Sequence, residues 1–170
     1  MSDVPRITLV VSSPVGPLVL TAEGDALVEV DLAASHPSSV RDADATTLAK
    51  DAGCAPAVLA EAARQLVAYF AGDLRRFDLP LRPHGTPFQL TVWDALREIP
   101  YGQTASYADV ARRIGRPTAM RAVGHANGRN PLAIVVPCHR VVGSDGSLTG
   151  YAGGLEMKKA LLDLESGARL

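Results

Sequence analysis

The adjacent residues Cys138 and His139 are the pair in this sequence best suited to chemistry. A free thiol has a pKa of roughly 8.5, so only a few per cent of it is thiolate at neutral pH. A neighbouring imidazole can accept the thiol proton and raise the reactive fraction. In extended backbone, however, adjacent side chains point to opposite sides. The two residues can therefore cooperate only if the chain turns there or a water lies between them.

A catalytic imidazole also needs an acid that orients it. Four acids follow the pair along the chain: Asp145, Glu156, Asp163 and Glu165. Glu165 stands at the apolar boundary of the last predicted helix, so we expect it to be the partly buried one. The structural alternative for the pair is an inert core thiol beside a hydrogen-bonded core histidine.

A candidate helix-turn-helix precedes the cysteine. Its second helix is predicted to span residues 116–128, opening at Arg116-Pro117, and it projects one long cation, Arg121. Its other positions include the small residues Ala119, Ala122, Gly124, Ala126 and Gly128. Such a helix can lie close to a groove, whereas base-by-base reading of the major groove needs several long polar side chains. An ordinary helical hairpin with solvated arginines is the alternative.

The charge of the chain is unevenly distributed. The formal net charge is −1 over 170 residues, which by itself argues against a strongly polyanionic partner. Residues 1–81 carry 6 basic and 11 acidic residues, whereas residues 82–170 carry 11 and 7. Such asymmetry is typical of a chain that contacts nucleic acid or a membrane with one half, and unequal solvated surfaces are the alternative. The arginines that could hold phosphates are Arg112, Arg113, Arg116, Arg129 and Arg140.

Hydrophobic patterning predicts an α+β fold for the N-terminal half. Three strands, 6–12, 17–23 and 26–32, are separated by turn signals and form a small antiparallel meander. Residues 33–55 are interpreted as a loop. A helix is predicted from Pro56 to Gly72, and the proline- and glycine-containing stretch 72–86 as a linker.

The C-terminal half is predicted to be mostly helical. Its elements are a helix starting at Thr86-Pro87, a short helix capped by Ser106, the second helix of the pair, a buried strand over 132–136 and a final helix from Leu155. We therefore predict a domain over 1–80 with the sheet and one helix. A domain over 81–170 would hold the winged-helix-like helix-turn-helix and the cysteine.

Composition excludes several classes of protein. No apolar run approaches the roughly 18 residues of a membrane span, and the start of the chain lacks the pattern of a secretory signal. We expect a cytoplasmic protein without membrane contact. With only Cys54 and Cys138 and no Cys-x-x-Cys, neither a disulfide framework nor structural zinc is expected. No metal or cofactor is predicted.

The motif Val136-Pro137-Cys138-His139-Arg140-Val141 resembles the active-site signature of the O6-alkylguanine-DNA alkyltransferases, the methylated-DNA–protein-cysteine methyltransferases. The resemblance is dense over about 86–167 and loose in the N-terminal half. It extends to Phe88-Gln89, Val92-Trp93, Leu96, 99–102, Thr104, Ser106-Tyr107, 121–124, Asn130-Pro131, Tyr151 and Gly153-Gly154.

The resemblance implies an irreversible, stoichiometric transfer of an alkyl group from guanine O6, and also from O4-alkylthymine, to Cys138. His139 would deprotonate the thiol through a water, with Glu165 orienting His139. Asn130 would brace the turn after the recognition helix, which is the second helix of the helix-turn-helix. Tyr107 would contact the flipped guanine and its phosphate and would protonate the departing purine. Each molecule would act once, as a suicide enzyme in DNA repair.

The resemblance also implies how damaged double-stranded DNA is held. The recognition helix would lie in the minor groove, and Arg121 would fill the space left by the flipped base. Further DNA contacts are expected at Ala119, Gly124 and Ser144. Substrate contacts are expected at Cys138, Val141, Tyr151, Ala152 and Gly153. The partner would be double-stranded DNA containing O6-alkylguanine, bound by a monomer that can act cooperatively on DNA.

Two positions depart from the pattern of some relatives. Ala152 stands where some carry Ser, which removes a side-chain hydrogen bond, and Ala133 stands where some carry Pro, which changes the wall of the alkyl pocket. Three rivals are a lesion-binding relative without a nucleophile, a helix-turn-helix regulator with an incidental cysteine, and a Cys-His hydrolase. The presence of Cys138 opposes the first, and nothing matches an oxyanion hole for the last.

Overall fold

The structure is a computed structural model that describes residues 4–32 and 56–168. The chain divides into two compact units, Met1–Pro83 and His84–Leu170. Cys54 and the loop predicted over 33–55 lie outside the described residues. Among the helices of those two stretches, none is long and apolar enough to cross a membrane.

The first unit contains a three-stranded antiparallel sheet of β1 (Arg6–Val11), β2 (Leu18–Glu23) and β3 (Ala26–Leu32), in that order. The tight turn between β2 and β3 requires Gly24, whose φ of 60° lies in the left-handed region that glycine tolerates. β1 pairs with β2 in unbroken register, whereas the β2–β3 register shifts at Thr21/Ala22.

Helix α1 (Ala57–Phe70) covers this sheet by packing on β2 and β3. Its apolar residues recur at helical spacing, which places Leu59, Leu66 and Tyr69 on one buried face. They meet the alternate residues of the strands that point to the same side, including Leu18, Leu20, Leu27 and Val30.

The stretch 72–86 differs from the predicted linker, because part of it pairs with the sheet. The backbone N–H of Leu27 donates to the carbonyl of Pro80 at 2.8 Å, and that of Arg82 donates to the carbonyl of Leu27 at 2.9 Å. The buried amide of Gln65 both donates to and accepts from the backbone of Asp78, at 2.8 Å each. These bonds give hydrogen-bond partners to backbone groups for which the sequence predicted none.

The second unit is mostly helical. Its elements are α2 (Pro87–Arg97), β4 (Ala105–Ser106), α3 (Tyr107–Arg113), α4 (Met120–Gly128), a 3-10 turn (Cys138–Arg140), β5 (Val141–Val142) and α5 (Leu155–Glu165). The short strands β4 and β5 pair in parallel. The predicted α+β class, a small antiparallel sheet with one helix followed by a mostly helical half, is confirmed.

Capping residues determine where the first two helices of this unit begin. The hydroxyl of Thr86 accepts from the N–H of Gln89 at 3.2 Å, and the Gln89 side chain returns a bond to the N–H of Thr86. Ser106 and Asp109 form the same reciprocal box at the start of α3. The indole N–H of Trp93 donates to the carbonyl of Ala126 at 2.8 Å, which joins α2 to α4.

Two local predictions were wrong. Helix α4 begins at Met120, and residues 116–119 form a turn closed by the bond from the Ala119 N–H to the Arg116 carbonyl. Residues 132–136 are buried as predicted, but they form turns and no strand. The N–H of Val136 returns to the carbonyl of Leu132 at 2.8 Å, and Ile134 takes a φ of 71°.

Candidate active site

Cys138 begins the 3-10 turn that follows Pro137, and the residue is 6% exposed. Because the backbone turns here and is not extended, the side chains of Cys138 and His139 need not point to opposite sides. Burial raises the pKa of the Cys138 thiol, opposed by a hydrogen bond from the Asn130 side chain and by the positive charge of Lys158. The thiol therefore needs a base before it can act as a nucleophile near neutral pH.

His139 is fully buried, and its Nε2 lies 2.7 Å from Oε1 of Glu165. Glu165 is thus the acid that the structure brings to the imidazole. Burial lowers the pKa of His139, reinforced by the charges of Arg140 and Lys158 and opposed by Glu165. The imidazole is therefore neutral, which is the state that can accept a proton.

Glu165 is an ionised carboxylate although it is buried. Burial acts to raise its pKa, but hydrogen bonds from His139 and Arg140 outweigh that effect and lower the pKa to about 2. An ionised carboxylate only accepts hydrogen bonds, so Nε2 of His139 carries the hydrogen and Nδ1 presents its lone pair.

Arg140 was expected to contact phosphate, and this prediction was wrong. Its guanidinium is buried and binds Glu165 through Nε at 2.8 Å and Nη2 at 2.9 Å, while Nη1 donates to the carbonyl of Ile99 at 2.6 Å. A buried arginine with two carboxylate bonds cannot also reach DNA. Charge counting from sequence treats every arginine as solvated, so only the tertiary structure separates Arg140 from the others.

Asn130 braces the buried turn between α4 and the cysteine. Its Nδ2 donates to the carbonyl of Val136 at 2.8 Å, and its Oδ1 accepts from the N–H of Leu132 at 3.0 Å. The Asn130 side chain thus gives these two buried backbone groups the hydrogen-bond partners that a neighbouring strand would otherwise supply. The two bonds also hold Ile134 in its left-handed conformation, which is costly for a β-branched residue.

Lys158 is a buried cation that the sequence analysis missed. Its ammonium donates to the carbonyls of Val141 at 2.6 Å and Thr149 at 2.8 Å, so it ties both ends of the segment after the cysteine to α5. Burial lowers the pKa of Lys158. Its spacing from Leu161 and Glu165, three and seven positions along the helix, places it on the buried face and could have revealed it.

An open cavity of about 530 Å³ lies between the helix pair and the segment after β5. Its lining residues are Tyr107, Met120, Arg121, Gly124, Gly128, Thr149, Gly150, Tyr151 and Ala152. The Tyr107 and Thr149 hydroxyl oxygens lie 2.9 Å apart. A Cβ added at Gly124 would lie 3.8 Å from the Tyr107 ring, in ordinary van der Waals contact, so this wall could accommodate a methyl group but little more.

Known families match both units of the chain. Residues 87–167 match the model of the 6-O-methylguanine DNA methyltransferase DNA-binding domain, and residues 8–83 match that of the ribonuclease-like domain of the same proteins. The chain belongs to the 6-O-methylguanine DNA methyltransferase family.

Individual relatives agree. The methylated-DNA–protein-cysteine methyltransferase of Methanosarcina acetivorans is 48% identical over 90% of this chain and 94% of its own length. That of Mycobacterium tuberculosis is 48% identical over 91% of this chain and 89% of its own. The crystal structure of M. tuberculosis OGT in complex with DNA has a TM-score of 0.77 at 46% identity, and covers 95% of this chain and 92% of that one.

These matches confirm the family, the enzyme class and the activity predicted from sequence. The protein is a DNA-repair methyltransferase that transfers an alkyl group to a protein cysteine. The family's DNA-binding domain covers the helix pair α3–α4 together with Cys138.

The remaining predicted positions of this methyltransferase, which include Ala119, Val141 and Ser144, are not among the residues that line the cavity. Ala119 precedes α4, and Ser144 is exposed in the turn after β5. The Val141 carbonyl already accepts from Lys158, whereas that of Cys138 accepts from the Val141 N–H and from Asn127. Because a carbonyl oxygen has two lone pairs, Val141 keeps acceptor capacity and Cys138 has used its own.

A second concave surface adjoins the first along α4. Its lining residues are Arg121, Gly124, His125, Gly128 and Arg129. Two of the other predicted phosphate ligands have protein contacts of their own: Arg112 pairs with Asp109, and the Arg116 guanidinium lies 5.8 Å from the centre of the Phe88 ring. Arg121 and Arg129 therefore share one face of the unit.

Proposed function

We propose that Cys138 is the alkyl acceptor and that it reacts once, with O6-alkylguanine in double-stranded DNA. The observation that carries this proposal is the buried hydrogen bond of 2.7 Å between His139 and Glu165. His139 follows Cys138 directly in the same 3-10 turn. It supplies a neutral, oriented base for a thiol whose pKa is raised by burial.

The reaction is a displacement at the alkyl carbon. His139 accepts the thiol proton through a water, and the thiolate forms a bond to the alkyl carbon while the bond from that carbon to guanine O6 breaks. Tyr107 gives a proton to the departing purine, and solvent restores the protonation states of Tyr107 and His139. The products are an S-alkylcysteine and an unmodified guanine. O4-alkylthymine would react by the same displacement.

The target base must leave the helix before its O6 can meet the thiol. Helix α4 would enter the minor groove, where the small residues Gly124 within it and Ala119 just before it permit a close approach, and Arg121 would occupy the space of the flipped base. The flipped base would enter the cavity beside Tyr107. The cavity is lined by Tyr107 at the start of α3 and by Gly128 at the end of α4. The flipped base can therefore occupy the cavity while α4 lies in the groove.

The segment after β5 would close over the base. Val141 would accept from the guanine amino group through its remaining lone pair, and the backbone of Tyr151, Ala152 and Gly153 would face O6. Ser144, which is exposed in the same segment, would contact phosphate. We further propose that the two units are separate domains that divide at Pro83/His84 and not at the predicted 80/81. We also propose a monomer that can bind DNA cooperatively, and a cytoplasmic location.

Intact mass spectrometry tests this function. Reduced protein is incubated with a duplex containing one O6-methylguanine, and we expect a mass gain of one methyl group per protein, mapped to the peptide that contains Cys138. Cys138→Ser is the matched control and should gain no mass while it retains its fold. A folded, reduced wild-type protein without an adduct, or an adduct on another residue, would contradict the proposal.

A further inference from the structure

Asn127 lies in the last turn of α4, and the residue is 4% exposed. Its Nδ2 donates to the backbone carbonyl of Cys138 at 3.4 Å. This bond determines the orientation of the amide, because a carbonyl oxygen can accept only from the nitrogen. The other end of the amide, Oδ1, is buried and has no hydrogen-bond partner among the described residues.

His139 presents a second buried acceptor of the same kind. Its Nδ1 has no partner within the described part of the chain, whereas its Nε2 is held by Glu165. Because the Glu165 carboxylate accepts the Nε2 hydrogen, Nδ1 is a lone-pair acceptor. One acceptor thus belongs to an amide bonded to Cys138, and the other belongs to the residue that follows Cys138.

One water molecule can satisfy both acceptors, which belong to a residue hydrogen-bonded to Cys138 and to the residue that follows it. Neither can bond the other, and a buried acceptor without a donor is unfavourable. A water molecule has two hydrogens to donate and an oxygen that accepts. Buried waters typically make about three hydrogen bonds of this kind to otherwise unsatisfied groups.

We propose that Asn127 is a positioning residue that orients the water between Cys138 and His139. The water donates one hydrogen to Nδ1 of His139 and the other to Oδ1 of Asn127, which leaves its oxygen to accept from the Cys138 thiol. This inference rests on the proposed function, and it assigns to the recognition helix a direct part in activating the nucleophile.

The arrangement gives the proton transfer a direction. The thiol hydrogen moves to the water oxygen as the water's own hydrogen moves to Nδ1, which leaves a thiolate, an imidazolium and an intact water. The bond to Asn127 keeps the second water hydrogen from turning toward the sulfur. Without Asn127, the water can rotate and the relay is correctly aligned for less of the time.

The pH dependence of the single-turnover rate with an O6-methylguanine duplex tests this role. Asn127→Leu keeps a similar side-chain size and removes both polar atoms. We expect the rate at neutral pH to fall about tenfold, as for the loss of one buried hydrogen bond. We also expect the variant to approach the wild-type rate at high pH, where hydroxide ionises the thiol without the relay.

The matched control is Gln65→Leu, which removes a buried amide bonded to backbone in the other unit. It should lose stability in the same way but keep the wild-type pH profile. A purely structural role for Asn127 would lower the rate of Asn127→Leu equally at every pH, and that result would overturn the proposal.

A high-resolution crystal structure of the wild-type protein provides a test that needs no variant. We expect a water within hydrogen-bond distance of both Asn127 Oδ1 and His139 Nδ1, and its absence would overturn the inference even if Asn127→Leu failed to fold. A wild-type protein that is not alkylated at Cys138 would overturn the proposed function as well. Alkylation of Cys138 with an unchanged Asn127→Leu pH profile would overturn the role of Asn127 alone.

Discussion

Glu165 is a single residue on which the whole buried polar cluster depends. Its carboxylate accepts from His139, from two nitrogens of Arg140 and, at 3.3 Å, from the N–H of Gly102. Arg140 compensates its charge, so Glu165 can orient the imidazole without holding it protonated. A buried ion pair of this kind adds little net stability, but removing one partner leaves the other charge uncompensated.

Glu165→Gln should therefore change how stability depends on pH. The pKa of Glu165 falls from an ordinary 4.5 to about 2 in the folded protein. A folded-state pKa below the unfolded one stabilises the fold above the unfolded pKa, and this contribution is lost as the pH falls from about 4.5 towards 2. Thermal unfolding measured from about pH 6 to about pH 2.5, in steps of about half a pH unit, gives this dependence.

We expect the variant to have a lower Tm than the wild type at neutral pH and a smaller loss of Tm on acidification. Asp163→Asn is the matched control, because Asp163 is a half-exposed acid of the same helix whose carboxylate forms an ion pair only with Lys159 among the described residues. Parallel Tm curves for wild type and Glu165→Gln would contradict the assignment.

Among the elements, helix α4 connects the DNA-binding face to the nucleophile. Its outer face carries Arg121 and glycines, its inner face buries Val123 and Ala126, and its last turn reaches Cys138 through Asn127. The turn that follows is braced by Asn130. A helix so fixed at its inner face can place Arg121 in a groove while the thiol keeps its position.

Arg121→Ala should separate base flipping from chemistry. At saturating duplex, we expect the single-turnover rate with O6-methylguanine DNA to fall roughly ten- to a hundredfold, because the space left by the flipped base is unfilled and restacking competes. The reaction with free O6-benzylguanine should change less than about twofold, since no base has to leave a stack.

Arg97→Ala removes the same charge from the exposed end of α2 and serves as the control for net charge. Its saturating rate with the duplex should match that of the wild type. If Arg121→Ala slowed both substrates equally, Arg121 would act on the chemistry and the role in base flipping would be wrong.

The whole molecule distributes its charge by unit. Residues 82–170 carry 11 basic and 7 acidic residues, and residues 1–81 carry 6 and 11. The burial of Arg140 and Lys158 removes two of those bases from any DNA-facing surface. The electrostatic contribution to DNA binding therefore comes from a few exposed arginines, which favours moderate affinity with little sequence preference.

Salt should consequently slow the reaction with DNA and spare the reaction with the free base. At subsaturating duplex, raising NaCl from about 50 to 200 mM should lower the alkylation rate at least about tenfold if two or more phosphates are neutralised. The rate with free O6-benzylguanine measures salt effects on the thiol itself. A duplex rate that does not change with salt would show that phosphate contacts contribute little.

Much of this protein is determined locally and could be predicted from its sequence. The three strands, the helix from Pro56 and the Ser106 cap follow from hydrophobic period and from turn and capping residues. The start of α4 could not be predicted in this way, because Ala119 offers no capping side chain and a hydrogen-bonded turn takes up Pro117. Apolar patterning also cannot distinguish a buried strand from the buried turn at 132–136.

The sequence alone determined the chemistry: a cysteine beside a histidine, a later acid and a small-residue helix with one long cation. Only the tertiary structure decided which side chains share that chemistry, because burial and hydrogen bonding depend on residues distant along the chain. It brought Glu165 to His139, withdrew Arg140 from the surface, and placed Lys158 and Asn127 beside the nucleophile. Each of these is a polar group out of water, and such groups are stable only where the fold supplies their partners.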